Sequence, residues 1–435
     1  MELADPDIDG SMPKPRDVGT ERAVLLTLAA VQFTSIVDFM VIMPLGPQLM
    51  RTLEITPVRF GLVVSSYTLS AGLAGVVAST LVDRFGRKAS FLTLYVGFLV
   101  GTLLCGLAPS YLALLAARVV TGAFGGVLGG LAMTIVGDVF PEERRGRATG
   151  TLMSAFSLAS IIGVPFGLYL GTRWGWHAPF LMLVVLGLPV LGVGSWALPP
   201  LRGHLGKQKT DQRAKLIETY THPNHLRAFA LIVSVMFGTF MVVPFISPYL
   251  VANVGILEKD LPWLYVGGGI LALVGAPLVG WWADRVGKFP VYRVIAPLSA
   301  LLMLLLTNLP RAPLMVAVGL VALLIMTNSG RMVAAMAMVT GCVEPRLRGG
   351  FLSANSSVQH ISSGLGAFVA GLIIREASDK QLLNYGIVGA LGATSTILSI
   401  WLASRLKIAA ASKPRAQPAG SIVELVDTVP AAEAF

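Results

Sequence analysis

The sequence predicts an all-α membrane protein with twelve transmembrane helices in two pseudo-symmetric six-helix bundles, and three observations predict it. Only 13% of its 435 residues are charged and 54% are hydrophobic, whereas about a quarter of an ordinary soluble domain is charged. The apolar residues gather into twelve runs of roughly 20 residues, the length that crosses a ~30 Å hydrocarbon core. A polar loop after the second run, Val82-Asp83-Arg84-Phe85-Gly86-Arg87-Lys88, returns after the eighth as Ala283-Asp284-Arg285-Val286-Gly287-Lys288, 201 residues later.

Residues 1–22 are polar and mainly acidic with no basic leader, so the first span is retained. That span, 24–50, lies between Arg22 and Arg51. The second, 58–82, ends at Asp83 and Arg84, and the third, 89–108, follows Lys88. The fourth, 111–138, closes at Asp138; Arg144, Arg145 and Arg147 then precede the fifth, 148–171, and the sixth is 177–199. Residues 200–225 form the longest polar connection and divide the chain six plus six. Beyond it come 226–251, 262–283, which stops at Asp284, and 290–309, which follows Lys288. The tenth run, 313–340, is closed by Pro345-Arg346-Leu347-Arg348-Gly349, an echo of Pro141-Glu142-Glu143-Arg144-Arg145-Gly146 after the fourth; 351–374 and 384–404 complete the set. Helices are expected because lipid offers backbone groups no partners, and the runs are too long and too evenly apolar for barrel strands.

The expected organisation is a cytoplasmic tail over 1–22, a six-helix bundle over 23–199, a cytoplasmic loop over 200–225, a second bundle over 226–407 and a disordered cytoplasmic tail over 408–435. Orientation rests on the connections, where 24 Lys and Arg lie on the side of both termini and seven on the other. The positive-inside bias puts both termini in the cytoplasm and the chain in an inner (plasma) membrane. The net charge of +10 reflects that topology and not nucleic-acid binding. Cys105 and Cys342 form neither a disulfide framework nor a metal pair, no H-E-x-x-H occurs, and no G-x-x-x-x-G-K-[ST] loop exists to use ATP. An enzyme is not expected.

A charge inside lipid is costly, so each one there asks for a function. Of 23 acids only Asp38 falls inside a span, 16 residues after Arg22 and 13 before Arg51, so it is placed roughly 20 Å or more from each flank, near the midplane. A carboxyl there changes protonation with access from either side and would bind a coupling proton; a fixed ion pair is the alternative. Arg118 and Arg331 are the intramembrane cations. Counted along their runs, Arg118 lies near the outer end, where it could instead snorkel to the interface, and Arg331 lies near the middle as a cavity cation for anionic or hydroxylated cargo, or as a counter-ion to Asp38. The eleventh run carries Asn355, Ser356, Ser357, Gln359, His360, Ser362 and Ser363, too polar for a lipid face. Asn355, Gln359 and His360, with Tyr249 of the seventh run, are the further expected cavity residues. Phe237, Phe240, Met241 and Phe245 fit core packing better than a cargo pocket. Gly122 and Gly126 belong to a small-residue row for helix contact.

Ser79-Thr80-Leu81-Val82-Asp83-Arg84-Phe85-Gly86-Arg87-Lys88 resembles the loop signature of the major facilitator superfamily, with Ser79 in place of a leading glycine that the second copy keeps as Gly280. Ala117-Arg118-Val119-Val120-Thr121-Gly122 is similar to the span-four signature of its proton-driven drug exporters. Gly163-Val164-Pro165-Phe166-Gly167 resembles the span-five antiporter signature, and Val164 with the following Trp174-Gly175-Trp176 looks more like the arabinose and sugar efflux permeases. The resemblance implies two bundles rocking about a central site. It further implies a monomeric proton antiporter that exports drugs, sugars or metabolites, needs no cofactor beyond the proton gradient, and has cargo, protons and the bilayer as partners. Arg118 would share in proton coupling, and Gly163, Pro165 and Gly167 in helix packing. Asp83, Arg84, Arg87, Asp138 and Asp284 would latch the halves, with Arg87 reaching Asp138. An uptake symporter for a sugar or metabolite and a lipid or lysolipid flippase are the alternatives.

Overall fold

The computed structural model describes residues 18–81, 85–200, 218–344 and 346–407. The first half comprises α1 (Val18–Val41), the short α2 (Gly46–Thr52), α3 (Pro57–Leu81), α4 (Arg87–Gly106), α5 (Tyr111–Val139), α6 (Glu142–Leu158), α7 (Val164–Trp174) and α8 (Ala178–Ala197). The second comprises α9 (Pro223–Val242), the one-turn α10 (Ile246–Tyr249), α11 (Leu261–Val286), α12 (Lys288–Thr307), α13 (Leu314–Gly341), α14 (Arg348–Ile373) and α15 (Tyr385–Ser404). A small antiparallel hairpin, β1 (Arg375–Glu376) with β2 (Leu382–Leu383), joins α14 to α15.

Eleven helical spans among the described residues are long and apolar enough to cross a membrane, and the chain is a multi-pass membrane protein. The twelfth long helix, α14, spans 26 residues. Its polar side chains dilute its apolar character, and one reason it tolerates them is its position: it packs against α3 of the other half and α9 of its own.

Three of the twelve runs are not single regular helices. The first stops at Val41, turns through Ile42–Leu45 at Pro44 and resumes as α2. The seventh breaks at the matching place, Val243–Phe245, around Pro244, and then continues through α10 and a wide turn at Leu250–Val254. Proline removes a backbone donor and clashes with the preceding turn, so an unbroken apolar run still ends its regular helix there. The fifth run bulges between α6 and α7 at Ala159–Gly163, just before Pro165.

The halves meet most closely where side chains vanish. A Cβ on Gly61 would stand 2.9 Å from the Ala367 carbonyl oxygen, and one on Gly72 would stand 3.0 Å from that of Ser357, so α3 and α14 touch backbone to backbone. Within the first half, a Cβ on Gly122 would lie 2.2 Å from the Tyr67 carbonyl oxygen, and one on Gly163 2.2 Å from Val37. Gly126 and Gly167 press likewise on Ala71 and Val41, and Pro165 is buried.

One face of the bundle carries the basic connections, and the apolar cores differ between the two faces. At the opposite face, one cluster runs through both halves, from Val41, Leu45, Phe60 and Leu114 to Val242, Phe245, Leu250 and Val321. Toward the basic face the core divides. Val24, Leu28, Phe91, Leu128 and Leu152 belong to the first half alone, and Leu231, Ile232, Tyr292, Met338 and Phe351 to the second. The bundle is therefore sealed at one end by a shared core and divided at the other.

Candidate functional site

Two buried guanidinium groups flank the junction of the halves. In the first half, Arg118 of α5 meets Asp38 of α1, Nη1 to Oδ2 at 2.8 Å, with both side chains fully buried. Thr102 of α4 donates to Oδ1 at 3.2 Å, Arg118 Nη1 also reaches the Asp38 carbonyl oxygen at 3.4 Å, and its guanidinium lies 4.4 Å from the centre of the Tyr67 ring. A carboxylate and a π face thus flank one cation, and a hydroxyl holds the carboxylate's other oxygen, with both charged side chains fully buried.

This arrangement removes one alternative and corrects one depth estimate. Arg118 does not snorkel; it is held inside the bundle. Asp38 does not sit at the midplane: Thr102 is four residues from the end of α4 and Arg118 seven from the start of α5, so the pair lies only about 6–10 Å beneath the opposite-face helix ends. Counting rise through 24–50 overestimated the depth because α1 ends three residues after Asp38.

In the second half, Arg331 of α13 is fully buried and faces only neutral oxygens. Nη1 donates to Thr396 Oγ1 of α15 at 2.6 Å, and Nη2 donates to Thr239 Oγ1 of α9 at 2.6 Å and to Asn328 Oδ1 at 3.0 Å. Nε has no hydrogen-bond partner. Arg331 is therefore not the counter-ion of Asp38. The register of the repeated loops matches Asp38 with Thr239, 201 residues apart. Their neighbours Phe39 and Phe240 touch across the junction, with ring centres 5.9 Å apart.

The other expected cavity residues disperse. Tyr249 is a core residue: its hydroxyl donates to the Leu309 carbonyl at 3.0 Å and its ring lies 4.7 Å from that of Tyr385. It lies just beyond the break at Pro244, within the shared apolar layer. On α14, Asn355 is buried and directs Nδ2 at Met336 Sδ (3.6 Å), while Gln359, half-buried, approaches the same sulfur at 3.9 Å. His360 is half-buried, and no hydrogen bond to it is found among the described residues. Met241 and Phe245 are buried in the core, whereas Phe237 and Phe240 are half-buried.

Of the expected latch, Arg87 meets Asp138 (Nε to Oδ2, 2.5 Å) at the basic face, inside the first half. Asp83 and Arg84 lie outside the described residues, and Asp284 is exposed. One ion pair that sequence reasoning missed joins the halves: Arg51 of α2 bonds Glu258 through both carboxylate oxygens at the opposite face. No run-by-run reading finds it, since the partners are 207 residues apart. Thr239 was also missed, although the loop register pointed to it.

A family model for the Major Facilitator Superfamily matches twice, over residues 28–233 and 228–430, and the two matches together span both halves. The chain belongs to the major facilitator superfamily. It is a transporter and not an enzyme. This superfamily member is 28% identical to the MFS-type transporter YtbD of Bacillus subtilis (strain 168) over 60% of the chain, an alignment that spans 65% of that relative, just under two thirds. It is 26% identical to the chloramphenicol efflux pump MT0201 of Mycobacterium tuberculosis (strain CDC 1551 / Oshkosh), over 66% of the chain and 68% of the pump. A solved bacterial homolog of the human lysosomal transporter Spinster, in an inward-facing and occupied conformation, superposes with a TM-score of 0.70 at 18% identity, covering 90% of this chain and 98% of that one. At that identity the likeness concerns the fold.

Proposed function

We infer that this transporter is a proton-coupled antiporter that exports small organic molecules by alternating access, with both termini in the cytoplasm. One observation carries the reading: the fully buried Asp38–Arg118 pair beneath the seal at the opposite face. Burying two charges costs much of what their attraction returns, so such a pair is weak as a source of stability and suited to a switch. Protonation of Asp38 removes the negative partner and loosens α1 from α5. The shared apolar layer covers the pair on the side away from the basic face, so opening that layer is the step that wets the carboxyl. With the basic face cytoplasmic, a proton would enter from outside and cargo would leave in return. The likeness of Arg118 and Gly163–Gly167 to antiporter signatures and the relation to an efflux pump support export.

The test is pH-gradient-driven flux in proteoliposomes against a panel of drugs, sugars and lysolipids. Asp38→Asn is expected to insert normally and to lose gradient-driven flux. Undiminished flux in that variant would remove the carboxyl from the mechanism. Cargo-induced proton release from the purified protein is expected as well, and its absence would favour a flippase.

A further inference from the structure

We propose that the cargo is an organic anion with an aromatic body, and that Arg331 provides the charge it neutralises. The inference deepens the transport reading above and rests on it. Among the described residues, the fully buried charges inside the spans are Asp38, Arg118 and Arg331. The first two cancel. Arg331 meets no carboxylate, only the hydroxyls of Thr239 and Thr396 and the amide oxygen of Asn328, and its Nε meets nothing. An isolated buried cation is costly in a membrane interior, and the first half shows how the same scaffold answers that cost: it places a carboxylate where the second half places Thr239.

The missing negative charge therefore has a natural external source. An anionic cargo brings the buried total to zero, whereas a cationic cargo would add a second uncompensated positive charge. The present partners are exchangeable. The Thr239 and Thr396 hydroxyls also donate to their own helices, to the Val235 and Gly392 carbonyls at 2.8 and 2.9 Å, so an entering carboxylate, sulfonate or phosphate oxygen can take over the guanidinium without stranding them. Access lies along α9: Thr239 and Asn328 are half-buried, and Thr239 adjoins Phe240 at the junction of the halves. The aromatic body follows from Phe39 and Phe240, half-buried rings that meet at that junction.

The experiment is calorimetric binding to the purified full chain at fixed pH. Its probes are naphthalene-2-carboxylate, naphthalene-2-sulfonate and 2-naphthyl phosphate, each against its neutral partner: the amide, the sulfonamide and 2-naphthol. At least one anion is expected to bind about tenfold or more tightly than its partner, the scale of one charge-assisted hydrogen bond. Thr239→Asp, which installs an internal counter-charge, is expected to lower that ratio about tenfold. Arg331→Gln should do the same, and Thr239→Ser should preserve the ratio and so guards against a misfolded Thr239→Asp. Absence of preference for every anion overturns the proposal, and so does a preference that survives both charge changes. Anion preference without pH-gradient-driven flux would sink the coupling reading alone; gradient-driven flux restricted to neutral or cationic compounds would sink this one alone.

Discussion

In the first half, Arg118 meets Asp38 and Arg87 meets Asp138. In the second half, Arg331 meets Thr239, and Lys288, which stands 201 residues after Arg87, directs its ammonium at the Ala337 carbonyl, 3.4 Å away. The halves thus keep cations on matching helices and differ in what those cations face. A carboxylate can be neutralised by a proton and a hydroxyl or carbonyl cannot. One scaffold therefore yields a half whose internal pairing can be switched and a half whose positive charge stays constant, a division of labour that suits coupling on one side and charge selection on the other.

The sharpest way to break this comparison is to delete each guanidinium in turn. Arg118→Met leaves Asp38 buried and unpaired, a loss expected to cost about 3–5 kcal/mol. The double variant Asp38→Asn/Arg118→Met is expected to regain much of it. Arg331→Met leaves hydroxyls that already bond their own helices, so its cost is expected to be only about 1–2 kcal/mol. Denaturation of the purified variants in detergent checks the ranking. Equal losses at the two sites would mean that the second half contains a counter-charge the neutral oxygens do not reveal.

A smaller effect is expected at the basic face. Asp138 keeps 36% of its side chain exposed in its pair with Arg87, so solvent screening should hold the cost of Arg87→Gln to about 1 kcal/mol. Lys288→Gln replaces a long contact to one carbonyl and should be close to neutral. The same denaturation series measures both, and a larger loss at Lys288 would reverse the assignment of the pairing half.

What the chain's linear pattern reveals and what it hides can be traced through these residues. Hydropathy is a one-dimensional property, so helix order, the six-plus-six division and the unusual polarity of α14 were all legible. Helix breaks were not: Pro44 and Pro244 sit inside runs that stay apolar on both sides, and missing the break at Pro44 misplaced Asp38 in depth. Pairing across space was legible only through symmetry. Asp38 and Arg118 are 80 residues apart and no local spacing links them. The loop register, by contrast, already set Thr239 opposite Asp38 and would have exposed the missing acid of the second half.

The smallest expected effect probes the contact that both halves share. Arg51 and Glu258 bridge them at the opposite face, with 57% and 22% of their side chains exposed, so solvent screening holds the pair to under about 1 kcal/mol. That is little for folding, but opening the sealed face must break this contact while the carboxylate pairs inside the first half need not break. The energy therefore bears on the balance between conformations. Arg51→Glu is expected to raise the accessibility of a cysteine introduced at Val64 to thiol reagents from the opposite face up to about fivefold, the most that 1 kcal/mol allows. The swap Arg51→Glu/Glu258→Arg should restore protection, and high salt should shrink the difference. Unchanged labelling in Arg51→Glu at low salt would show that the shared apolar core alone holds the seal, and that charge in this transporter acts within the halves and not between them.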